Sequence, residues 1–94
     1  MRLYKFENYK LSAEVIRSGP DIWLKGTFGP FGFEAITQEC EECHNFITGN
    51  TSVWALKGRR GQRAHDNAIM AIEDRLAYAR VPKLRQGESA QINL

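Results

Sequence analysis

Ninety-four residues leave room for one domain and exclude a second. Thirteen Lys and Arg against eleven Asp and Glu leave a formal net charge of +2, so overall charge alone points to no nucleic-acid partner. Apolar and charged fractions of 43% and 26% are those of an ordinary globular chain, which can fold on a modest core without a metal or disulfide staple.

The opening residues, Met1 to Glu7, hold no long apolar run and no small-residue cleavage site, and no later stretch is long enough to span a membrane. A cytoplasmic protein without a membrane partner is predicted, in a compartment where thiols stay reduced. Tyr4 and Phe6 alternate with Lys5 and Glu7, and Tyr9, Leu11, Ala13 and Val15 keep the same period beyond Asn8. Period two predicts half-buried strands in a hairpin that turns near Asn8. Ser18-Gly19-Pro20-Asp21 is a turn signal, residues 22–28 read as a strand, and Gly29-Pro30-Phe31-Gly32 turns the chain again before a strand over 33–36.

The run Lys25-Gly26-Thr27-Phe28-Gly29-Pro30-Phe31-Gly32-Phe33 interleaves aromatics with glycines. It resembles the RNA-recognition strand motif, and the resemblance implies rings on an open sheet that stack on bases. Pro30 departs from that pattern, because proline breaks a central strand. Phe28 and Phe33 are assigned to the core and Phe31 to an exposed turn.

Thr37 is a reasonable N-cap, acids follow it, and Gly49 stands where a helix would end. Ile36, Cys40, Cys43 and Ile47 recur at spacings of four, three and four, which is one helical face. A helix over 38–48 is predicted, with both cysteines in the core and Glu39, Glu41 and Glu42 mostly on the outer side. Cys40-Glu41-Glu42-Cys43-His44 also has the Cys-x-x-Cys-His spacing and resembles the attachment site of c-type haem. That resemblance implies thioether bonds from both cysteines and His44 as an axial ligand. Attachment usually belongs to exported proteins, and a sheet-rich domain offers no obvious haem pocket. Zinc is the alternative cofactor. Cys40 and Cys43 would supply thiolates and His44 or His65 an imidazole, with Asp66 to complete the set. A closed site needs four ligands, and the chain has no second Cys-x-x-Cys. Reactive thiols sit in positive surroundings, whereas three glutamates flank these. Cysteine otherwise behaves as a small buried hydrophobe, so core packing is the preferred reading and no cofactor is expected.

Residues 51–57 read as a strand, 58–61 as a loop and about 62–80 as a second helix with a stripe of His65, Ile69, Ile72, Leu76 and Ala79, stopped by Pro82. Residues 82–94 are polar and aperiodic, which predicts a flexible tail after a compact domain over 1–81. The expected fold is therefore α+β, an antiparallel sheet from the N-terminal half packed against two helices.

Charge is segregated along the chain. Residues 34–49 carry four acids and no Lys or Arg, and residues 50–65 carry four bases and no acid. Lys57, Arg59, Arg60 and Arg63 precede a helix N-terminus, where backbone N–H groups and arginine forks both favour phosphate. Lys25 and Phe31 would extend that surface. The expected function is a non-enzymatic binding module that presents this basic loop to an anionic partner such as nucleic acid. No acid–base pair or nucleophile–base set can be placed, so no enzyme is expected. The alternative is a protein-binding regulator or inhibitor, of the phage or mobile-element type, acting through Glu39, Glu41 and Glu42. A further alternative is a zinc-stapled module. The bland outcome is that the acidic helix and the basic loop neutralise each other.

Overall fold

Alternation in Leu11-Ser12-Ala13-Glu14-Val15 sends one set of side chains into a core and the other to solvent, and the same rule builds four consecutive strands. These are β1 (Leu11–Ser18), β2 (Asp21–Phe28), β3 (Phe31–Glu39) and β4 (Phe46–Ala55). The chain then forms one helix, α1 (Gln62–Ala77), and a last strand, β5 (Ser89–Asn93). The structure is a computed structural model and describes residues 6–94, the Glu7 side chain excepted. The strand expected over Tyr4 to Glu7 falls partly outside those residues, and Phe6–Asn8 form a single 3-10 turn.

All strands are antiparallel, in the order β4-β3-β2-β1-β5. Two-residue turns join the first three. Gly19 and Gly29 take φ of 63° and 57° there, a region that suits glycine because it has no Cβ. One face of the sheet carries the core: Leu11, Val15, Ile22, Leu24, Phe28 and Phe33 are all within 1% of full burial. Ala64, Ala68, Ile72 and Leu76, four apart on α1, are buried with them. Small residues at the first two of these positions are compatible with close approach of the helix. After α1 the chain runs along residue 44, where the Val81 amide donates to the His44 carbonyl at 2.8 Å, and then reaches the far edge of the sheet as β5.

Four expectations need correction. The molecule is mostly β, a five-stranded antiparallel sheet with a single 16-residue helix, and the helix expected over 38–48 does not form. Gln38 and Glu39 instead continue β3, where they pair with Ile47 and Phe46 of β4. Phe46, Ile47, Thr48, Thr51, Val53 and Trp54 are β-branched or aromatic residues that suit a pleated surface, and the ladder with β3 satisfies their backbone groups. Cys40 and Cys43 therefore lie in the connection between two strands. Cys40 is half-buried and Cys43 exposed, so neither is a core residue. Residues 82–94, expected as a tail, contain β5, whose residues 89–93 pair with residues 16 to 12 of β1. Finally, the buried stripe of α1 is Ala64, Ala68, Ile72 and Leu76: Ile72 and Leu76 are buried as expected, but in the first half of the helix Ala64 and Ala68 take the place of His65 and Ile69, which are only partly buried. Among the described residues no helix is long and apolar enough to cross a membrane.

Candidate functional site

Lys57, Arg59, Arg60 and Arg63 gather at one end of the sheet. Leu56, just past β4, donates its amide to the Pro30 carbonyl at 3.0 Å, which pins the start of the loop to the β2–β3 turn. Gly58 turns the chain with φ of 69°, and Gly61 enters α1 from an extended conformation. Beneath the loop, the guanidinium carbon of Arg60 stands 5.8 Å from the centroid of the Phe31 ring. The edge of His65 meets the same ring at 5.6 Å, and its Nδ1 lies 2.9 Å from the Gly61 carbonyl oxygen. Phe31 is only 2% exposed. It is the floor of the loop, not the exposed ring expected from the sequence, because the loop and the first turns of α1 close over it.

All four cations are exposed. Among the described residues the ion pairs are Arg17 with Glu39 and His44 with Glu39, and neither involves the loop. The first turn of α1 holds no acid, and Gly61 offers no side chain to cap it. Among the described residues its leading amides thus have no side-chain acceptor, and the positive end of the helix adds to the field of the arginines. Asp66, one turn on, accepts a hydrogen bond from Gln62 at 2.8 Å.

Lys25 is not part of this group. It projects from the face of the sheet opposite the core and stands across from Glu14 on β1 and Glu34 on β3. The same face supplies a ring that the aromatic–glycine run did not suggest. Trp54, two residues before Leu56, is 40% exposed and its indole lies over Gly32. A Cβ at Gly32 would come within 2.6 Å of the indole Cε2, so the missing side chain is what lets the ring lie flat there. Phe28 and Phe33 are fully buried, as assigned. Trp54 was legible in principle, because period two through Ser52-Val53-Trp54 places it with serine on the solvent side.

The acidic segment occupies the other end of the molecule. Phe31 opens β3 and Glu39 closes it, which separates the basic loop from Glu39, Glu41 and Glu42 by about 30 Å of extended chain. The two patches do not neutralise each other. Comparison with protein-family models, curated proteins and solved structures gave no match.

At that far end Glu39 is already engaged. Its Oε1 accepts from Arg17 Nη2 at 3.0 Å, and its Oε2 lies 2.7 Å from His44 Nδ1. The His44 hydrogen bond is the largest influence and holds the Glu39 carboxyl below its ordinary range; burial opposes it, and the Arg17 hydrogen bond adds a smaller lowering effect. Arg80 and Lys83 line the adjacent hollow with Glu39 and His44, so the acids here do not form a surface of one sign. Cys40, Cys43 and His44 share one turn, but His65 packs on Phe31 at the opposite end of β3. The proposed ligand set Cys40, Cys43, His44 and His65 is therefore not brought together. Among the described residues no three of His, Cys, Asp and Glu gather as a metal cluster.

Proposed function

We propose that this protein is a binding module that engages nucleic acid through the loop carrying Lys57, Arg59, Arg60 and Arg63. The observation that carries the reading is that four exposed cations converge on an uncapped helix N-terminus with no acidic partner among the described residues. A bare cluster of like charge costs stability through self-repulsion, and a polyanion relieves it. The packing of Arg60 on Phe31 orders one of the arginines before any partner arrives. Trp54, three residues before Lys57 on the outer face of the sheet, offers a half-exposed ring to an unpaired base of a strand that continues past the loop, which favours a single strand over a duplex.

The test is fluorescence polarisation with a labelled oligothymidylate at several salt concentrations. Four phosphate contacts on a single strand predict a slope of log K against log salt of about −3, with dissociation constants in the micromolar range at low salt. Affinity that does not change with salt, or no binding at low salt, overturns the reading.

A further inference from the structure

The turn at the opposite end of the molecule has chemistry that the basic loop does not use. Cys40 and Cys43 stand three apart in a closed turn, in which the His44 amide donates to the Cys40 carbonyl at 3.0 Å and the Cys40 amide donates to the Asn45 carbonyl at 2.9 Å. The Cys43 amide donates to Cys40 Sγ at 3.2 Å, so a backbone dipole points at the sulfur. Residues three apart in a turn have Cα atoms within about 7 Å, and a disulfide needs about 4.4–6.8 Å, so a turn closed in this way is compatible with the bond. Cys40 lines an open cleft of about 420 Å³ with Arg17, Pro20, Glu39, Glu41 and His44, which leaves room for a small molecule to reach its sulfur. Cys43 is exposed on the turn itself.

We infer that Cys40 and Cys43 form a redox-active dithiol that closes to an intra-turn disulfide by exchange with a low-molecular-weight disulfide. Cys40 is the attacking sulfur. The Cys43 thiol first, and then the amides of Cys43 and Glu42, hydrogen-bond to it and hold its thiol below the usual range, with burial opposing. Of the acidic neighbours, Glu39 faces Arg17 and His44, and Glu41 and Glu42 are exposed, where water screens their charge. The Cys40 thiolate attacks one sulfur of the small disulfide, forms a mixed disulfide and releases one small thiolate. Cys43 then loses its proton to solvent, attacks Cys40 Sγ and releases the second small thiol. Two protein thiols are oxidised, and one small disulfide is reduced to two thiols.

The experiment is incubation of the intact, reduced protein with oxidised glutathione at neutral pH, followed by acid quench and mass spectrometry. The wild type is expected to lose two hydrogens and retain no glutathione. Cys43→Ser is expected to accumulate one glutathione on Cys40, because nothing resolves the mixed disulfide. Cys40→Ser is expected to react with glutathione at least about tenfold more slowly than Cys43→Ser, since the remaining thiol lacks the amide contact. Wild type that stays a dithiol, or that carries glutathione without internal closure, overturns the inference. Equal rates for the two variants overturn the assignment of Cys40 as the attacking sulfur.

Discussion

Gly26→Ala is expected to destabilise the protein by about 3 kcal/mol, the upper end of what overpacking a core costs. Gly26 sits in β2 between Ala13 of β1 and Phe33 of β3. A Cβ built there would overlap the Ser12 carbonyl oxygen and stand 2.6 Å from Cα of Ala13. Both obstacles are backbone atoms in a paired strand, so no side-chain rotation relieves them. The β1–β2 ladder would have to spread, and β5, which among the described residues pairs only with β1, would be disturbed with it. The sign is informative, because Gly→Ala inside a strand ordinarily stabilises by about 0.5–1 kcal/mol. For a domain of this size the expected loss lowers the melting temperature by about 15 °C. Gly49→Ala, at the register shift between β3 and β4 with open space around the new Cβ, is the control and should be neutral or stabilise by up to about 1 kcal/mol. Thermal unfolding of the two variants decides the matter. A Gly26→Ala protein as stable as wild type would show that β1 and β2 do not approach as closely as described.

Replacing Arg59, Arg60 and Arg63 together by alanine is expected to weaken oligonucleotide binding about 100-fold at low salt and to flatten its salt dependence. Each exposed arginine–phosphate contact is taken at about 1 kcal/mol, the upper end for exposed pairs. Three sum to about 3 kcal/mol, or two powers of ten in affinity. The slope against log salt should fall by about 2, since each lost contact on a single strand removes about 0.7. Stability should fall by no more than about 1 kcal/mol, the cation–π contact of Arg60 with Phe31, because all three side chains are exposed and none makes an ion pair among the described residues. Arg80→Ala, Lys83→Ala and Arg85→Ala together, which remove three cations away from the loop, are the matching control for net charge and should leave the slope unchanged. Equal affinity of wild type and the triple variant would detach binding from the loop.

Much of the sheet was legible, and the reasons are local. Ser18-Gly19-Pro20-Asp21 and Gly29-Pro30 carry their turns in residue types that few other conformations accept, and period two between them is unbroken. The segment 36–49 misled because two readings fit it. Isoleucines and cysteines at four, three and four make a helical stripe, and the same spacing arises when two strands meet across a short turn. What decides is non-local: β3 offers β4 a partner along Glu39 to Phe31, and no pattern within 36–49 contains that partner. β5 was hidden for the same reason. Ser89-Ala90-Gln91-Ile92-Asn93 has little apolar signal, and it becomes a strand because β1 has a free edge to pair with. The basic loop was visible as charge, but its isolation from the acids depends on the length and direction of β3. The exposed ring is Trp54 and not Phe31, which is buried.

The most direct test of the central claim is an amide ¹⁵N–¹H spectrum recorded while oligothymidylate is added at low salt. Shift changes should concentrate on the amides of residues 57–64 and on the indole N–H of Trp54, while residues 40–45 and the Trp23 indole stay in place. Changes centred on 40–45, or a spectrum that does not respond, would contradict the assignment of the basic loop as the binding site.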